Sequence, residues 1–148
     1  MAKGEVMDKE RVIRALSATA TLAKAVNSEV EMFDMLNQGL PFETLEAMEN
    51  QGIVDVSELK TFIPARTLAR RKGEQKRLSA EESDLVARLA RIHDFAVEVF
   101  GNHEKARKWL RVPNRALKGH IPLQLLRTDY GARIVESLLG RIAHGIFS

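Results

Sequence analysis

This 148-residue sequence predicts an all-α fold, and three observations carry that reading. Strand signals are missing, because no stretch sustains a period-two alternation of apolar and polar residues and no Asn-Gly or Asp-Gly hairpin turn occurs. Capping boxes punctuate the chain at Ser28 with Glu31, Asp55 with Glu58 and Ser79 with Glu82, each pairing an N-cap acceptor with a carboxylate at N3. A long stripe of Leu85, Leu89, Ile92, Ala96 and Val99 recurs at intervals of three and four, widened by Val86 and Phe95.

Taken in order, residues 1–27 read equally as a helix, on the spacing of Val12, Leu16, Thr19, Ala23 and Val26, or as a mobile arm. Ser28 opens a helix carrying Val30, Met32, Phe33, Met35 and Leu36 that stops at Gly39. Pro41 starts the next, at a position where a missing N–H is harmless, and Gly52 ends it after Gln51. Asp55 begins a short helix to about Thr61, with Val56, Leu59 and Phe62 or Ile63 inward. After Pro64 another helix starts at Ala65. The long helix spans Ala80 to Phe100, and Gly101 and Asn102 separate it from a helix over His103–Arg111 that Pro113 stops. Val112 to Gly119 reads as loop, Pro122 to about Arg127 as a short helix. A last helix from Thr128 or Asp129 buries Ile134, Val135, Leu138, Leu139 and Ile142, with Gly145 as its C-cap.

Composition narrows the functional classes. At 45% hydrophobic and 29% charged the chain is that of an ordinary globular protein, and zero cysteines exclude disulfides, thiolate metal sites and cysteine nucleophiles. No apolar run reaches a membrane span and no signal-peptide layout is visible at the start, so the expected location is the cytoplasm. His93, His103, His120 and His144 show no metal-ligand spacing, and no nucleophile elbow, phosphate-binding glycine loop or dinucleotide fingerprint is present, so neither catalysis nor a cofactor is expected.

Charge is unevenly placed. Residues 60–77 hold seven Lys and Arg against Glu74, and residues 105–118 hold six against no carboxylate, while the flanking segments 1–59 and 78–104 are net acidic. Concentrated positive charge is the footprint of polyanion binding, although such a block also serves as a solvated face. The first block falls on a short capped helix, a sharp corner at Phe62 to Pro64, and a helix carrying ARTLARRK, the layout of a helix-turn-helix from Asp55 to Gly73 within a DNA-binding domain of residues 28–78. At 100° per residue Arg66, Thr67, Arg70 and Arg71 share one arc, while Ala65, Leu68 and Ala69 take the other side. Arginine can bond two acceptors of guanine and threonine can reach a thymine methyl. Lys60, Lys72, Lys76 and Arg77 are placed for phosphates. The second block fits phosphates, acidic protein groups or bulk solvent equally.

The remaining sequence carries an ordered set of motifs. Ala106, Trp109 and Leu110 form A-x-x-W-L, Pro113, Asn114, Leu117 and Gly119 form P-N-x-x-L-x-G, and Pro122, Leu123, Leu125 and Leu126 form P-L-x-L-L; Gly131, Val135, Leu138, Ile142 and Gly145 follow at helical spacing. Together they resemble the toxin-binding domain of the Xre/MbcA/ParS antitoxin family, and GLPFETLEAM and RTLARRK resemble the helix-turn-helix of its Xre-type members, so the likeness covers roughly residues 29–148.

The resemblance implies an antitoxin that inhibits a RES-domain, NAD-degrading toxin and represses its own operon, usually as a homodimer on a palindromic operator. Residues 79–148 would then form the toxin-binding and dimerisation domain. Trp109, Tyr130, Arg133, Arg141, Gly145, Ile146 and Phe147 are the candidate toxin contacts, although Trp109 can simply anchor its helix and Ile146 and Phe147 can equally cover the protein's own core. Two other readings remain open on residues alone: a repressor without a toxin partner, and an adaptor that binds protein only.

Overall fold

Long-range packing is organised around one central helix. The computed structural model describes residues 8–16, 27–74 and 76–145. In chain order the helices are α1 (Asp8–Ala15), α2 (Glu29–Gln38), α3 (Glu43–Asn50), α4 (Val56–Phe62), α5 (Ala65–Glu74), α6 (Ala80–Phe100), α7 (His103–Arg111), α8 (Pro122–Leu125) and α9 (Asp129–Ala143), with a 3-10 turn at Arg115–Leu117. No strand occurs among the described residues.

The caps act where the sequence puts them. Asp55 and Ser79 form complete capping boxes with Glu58 and Glu82. Ser28 accepts the N–H of Glu31, but the Glu31 carboxylate takes the N–H of Asn27, one residue before the cap. Helix α3 starts at Glu43, not Pro41, because Pro41 and Phe42 form a turn whose carbonyls accept the N–H groups of Thr44 and Leu45 at 3.0 Å. Helix α8 ends at Leu125, two residues short of the expected Arg127.

Helix α6 contacts α1, α2, α7 and α9. Its apolar stripe of Leu85, Leu89, Ile92 and Ala96 is buried as expected, and so are Val86, Ala87, Ala90, Ser83 and His93, so burial extends well beyond one face. Two of its arginines reach neighbouring elements, while Nδ1 of His93 is buried without a hydrogen-bond partner. Arg88 donates to the carbonyls of Leu126 at 2.8 Å and Arg127 at 3.1 Å, and Arg91 lies 3.6 Å from both Asp8 and Glu136.

Residues 8–16 of the N-terminal stretch pack on α6 through Val12 and Leu16. Thr19, Ala23 and Val26 lie outside the described residues. Arg11 is only 7% exposed, yet it bonds Glu98 and Asp94 and lies 4.4 Å over the ring of Phe95. A buried guanidinium is tolerable only with such partners.

Two glycines let backbones meet. Gly39, at φ 100°, sits against the carbonyl of Leu78, so the strap entering α6 crosses the turn between α2 and α3 and Leu78 N–H bonds Leu40 C=O at 2.8 Å. Gly131, in the first turn of α9, abuts the carbonyl of Leu125, where any Cβ would overlap the backbone of α8.

Candidate functional site

The helix-turn-helix is assembled from local hydrogen bonds. Asp55 Oδ1 accepts the N–H of Glu58 at 2.8 Å and Glu58 Oε1 accepts that of Asp55 at 3.0 Å. The Ser57 hydroxyl, followed by the Glu58 N–H, holds the Asp55 carboxyl below its ordinary range. Ile63 turns to extended backbone at φ −123° and buries its side chain, and Pro64 then offers its carbonyl to the Leu68 N–H at 3.1 Å as the first bond of α5. Only Ile63 and Pro64 separate the two helices, a tighter corner than expected.

Helix α5 buries one apolar side chain, Leu68. Its second anchor is polar: Arg71 Nε and Nη2 donate to the two carboxylate oxygens of Glu82, at 2.6 and 3.3 Å. Burial works to raise the Glu82 carboxyl, but the hydrogen bonds from Arg71 and the Ser79 backbone outweigh it and the net shift is downward. Arg71, expected beside Arg66 and Arg70 on the presenting arc, is instead turned to the first turn of α6, because a wheel drawn for one helix contains no neighbour. Lys60, Arg66, Arg70 and Lys72 are exposed and Thr67 is half-buried. Lys76 pairs with Glu74 at 2.8 Å, and Arg77 donates to the carbonyl of Gly39 at 2.8 Å. The same wheel puts Ala65 and Ala69 on the packing side, but both are exposed. They line an open groove of about 370 Å³ with Phe42, Leu45, Val56 and Leu68.

A second surface lies on α9. Thr128 caps the helix, its Oγ1 accepting the Gly131 N–H at 3.0 Å, and Gly131, Ala132, Val135, Leu138 and Leu139 face the core. Tyr130, Ile134, Ser137 and Arg141 follow one another at four, three and four residues, which aligns them in one exposed stripe. Tyr130 is 75% and Ile134 39% exposed. The expectation that Ile134 is buried is thereby corrected: the core side of α9 is filled by its neighbours Ala132, Val135 and Leu138. Its spacing of four from Tyr130 is the signal that places it on the outer face.

The other candidates for protein contact are dispersed. Arg133 is exposed, but its Nη2 and Nε hold Asp129 at 2.6 and 2.9 Å. Trp109 is half-buried against Phe100 with ring centroids 5.5 Å apart, which ties α7 to the end of α6 and sets it apart from the α9 stripe. Gly145, at φ 72°, donates its N–H to the carbonyl of Ile142 at 3.0 Å. Ile146 and Phe147 lie outside the described residues. Among the described residues no cluster of three or more His, Asp or Glu could hold a metal, and no helix is long and apolar enough to cross a membrane.

Comparison with known proteins matches two domains in succession. Residues 32–91 match the antitoxin Xre-like helix-turn-helix domain, and residues 95–145 match the antitoxin Xre/MbcA/ParS C-terminal toxin-binding domain. The chain is 34% identical over 120 residues to the antitoxin Xre of Yersinia enterocolitica, covering 79% of this chain and 81% of that protein. It is 35% identical over 117 residues to the antitoxin Xre of Photorhabdus laumondii, covering 77% and 79%. A third antitoxin Xre, from Pseudomonas putida, is 34% identical over 118 residues, covering 80% and 74%. The chain therefore belongs to the Xre antitoxin family, with a helix-turn-helix domain followed by a C-terminal toxin-binding domain.

Proposed function

We propose that this chain neutralises a RES-domain, NAD-degrading toxin through the outer face of α9 and represses its own operon through α5, as a homodimer. The observation that carries the toxin half is the exposed stripe of Tyr130, Ile134, Ser137 and Arg141 on a helix whose opposite face is locked into the core. An aromatic and a branched aliphatic side chain one turn apart, on a rigid base, are the anchors that dominate protein interfaces, and Arg133 and Arg141 beside them can meet acidic groups at the rim. Gly145 leads the chain toward Ile146 and Phe147, which would extend the contact.

For the DNA half, Arg66 and Arg70 with Thr67 between them read bases, and Lys60 and Lys72 contact phosphates. A homodimer would present two such helices to half-sites about one helical turn apart.

The test is co-expression with a RES-domain toxin, following growth and cellular NAD⁺. The unaltered chain should restore both, and Ile134→Asp, which places a charge in the centre of the stripe, should restore neither while retaining its fold and its DNA binding. Full protection by Ile134→Asp would overturn the assignment of α9 as the blocking face.

A further inference from the structure

The basic segment after α7 has no role in the surfaces above, and its place in the fold suggests one. It starts at Arg111, whose Nε and Nη2 clasp the Glu58 carboxylate at 2.7 and 3.0 Å and whose Nη2 also reaches the Ile53 carbonyl at 2.9 Å, at the first turn of α4. It ends at Arg127, whose guanidinium lies 5.5 Å from the ring of Phe62, the last residue of α4. Residues 111–127 are thus pinned to both ends of the first helix of the helix-turn-helix. Between the pins the chain is ordered by its own bonds: Asn114 accepts from the Ala116 and Gly119 N–H groups at 2.9 and 2.8 Å, and Leu117 is buried. This rigid turn holds Arg115 and Lys118 exposed, with no carboxylate anywhere from residue 111 to 127. Among the described residues neither cation makes an ion pair.

In a docked helix-turn-helix the second helix enters the groove and the first crosses the phosphate backbone. A cationic segment lying along that first helix therefore faces phosphates. Resting on the DNA-binding reading above, we propose that Arg115, Lys118 and Arg127 form a second phosphate-binding flank, so that the toxin-binding domain itself grips duplex DNA. The acidic surface of a protein partner is the less favoured occupant, because these cations flank α4 and none belongs to the α9 stripe.

The experiment measures binding of two duplexes, one from upstream of the chain's own gene and one of mixed sequence, against salt concentration. Arg115→Ala with Lys118→Ala sits on an exposed turn and should keep the fold. It should weaken both duplexes equally, by roughly tenfold at moderate salt, and flatten the dependence of log K on log salt by about 0.9 for each phosphate no longer neutralised. Arg127→Gln should add to this in the same manner, and both flank variants should still bind a RES-domain toxin as the parent does. Arg66→Ala with Arg70→Ala, in contrast, should erase the preference between the duplexes. Unchanged affinity and slope in the flank variants, with the parent binding DNA normally, would overturn the flank and leave the recognition helix intact. Loss of toxin binding with DNA binding preserved would overturn it too, assigning the cations to the protein partner. If the parent binds neither duplex, the DNA-binding reading fails and the flank fails with it.

Discussion

Helices α5 and α9 are both amphipathic, both carry arginines and both show one face to solvent, yet they are held by different physics. Helix α9 buries Ala132, Val135, Leu138 and Leu139, and its exposed face includes Tyr130 and Ile134. Helix α5 buries Leu68 alone and relies on the Arg71–Glu82 bridge, and its exposed residues include Arg66, Arg70 and Lys72, with small alanines between and Glu74 at its end. The exposed remainder, not the arginine content, separates the two surfaces. A face of cations without large apolar groups suits a polyanion and gives salt-sensitive binding, whereas an aromatic–aliphatic stripe suits a protein surface and gives binding that salt moves little.

The contrast can be broken most forcefully at α5. Replacing Arg66 and Arg70 with Ala should cost about 1–3 kcal/mol of DNA binding per arginine that pairs with a base, and so about thirtyfold or more for the pair. Both side chains are exposed, so thermal unfolding should move by no more than about 0.5 kcal/mol. A mobility-shift titration beside a thermal melt checks both expectations, and equal losses in the two would mean that the arginines support the fold. At α9 the corresponding change is Tyr130→Ala. It should lower toxin affinity by about 2 kcal/mol, or roughly thirtyfold, with DNA affinity untouched, as calorimetry with the purified toxin can show.

Arg71 sharpens the comparison because it sits on α5 but belongs to the scaffold. Arg71→Ala should cost about 1.5–3 kcal/mol of stability, the range for hydrogen bonds to a charged group, since it leaves the half-buried Glu82 with its cap bonds but no cation. Denaturant unfolding should show that loss, and DNA affinity at low temperature, where the variant is fully folded, should fall far less than in the Arg66 and Arg70 variant.

Arg71 also marks what the sequence could not express. The caps at Asp55 and Ser79 and the stripe of α6 are local patterns that appear where the spacing put them, and the corner expected at Phe62 to Pro64 tightens to Ile63–Pro64. The Arg71–Glu82 pair joins two helices across a turn, and a helical wheel treats each helix as alone. Arg11 escaped for a related reason: a charged residue reads as exposed until its partners, Asp94 and Glu98, are brought to it from more than eighty residues away. Gly131 was legible only as a member of a motif, because its requirement is set by the Leu125 carbonyl it abuts. In the candidate site, the arginines of α5 and the aromatic of α9 were legible by type, while Ile134 reads as core from its apolar type although its spacing of four from Tyr130 signals the outer stripe.

The smallest predicted effect concerns the seam that joins the two halves. His93 of α6 is 4% exposed, and its Nε2 lies 3.4 Å from Nδ1 of His103 on α7. Burial, then the charges of His103, Arg111 and Arg107, push His93 down to about 3 from its ordinary 6.5. The folded value lies below the unfolded one, so between those limits the unfolded chain binds a proton that the folded chain refuses, and stability falls as pH falls. The loss should be only about 0.7 kcal/mol between pH 7 and pH 6, steepening to about 1.4 kcal/mol per pH unit below that. Asp94, lifted above the ordinary carboxylate range chiefly by burial, acts with the opposite sign but at lower pH, where carboxylates titrate. Urea unfolding at pH 7 and 6 reads the difference directly, and His93→Gln should flatten it. Because α7 carries Arg111, which braces α4, hydrogen exchange at pH 6 should rise along α7 and α4 before it rises along α9. An increase confined to α9 would show that the two surfaces are coupled by another route.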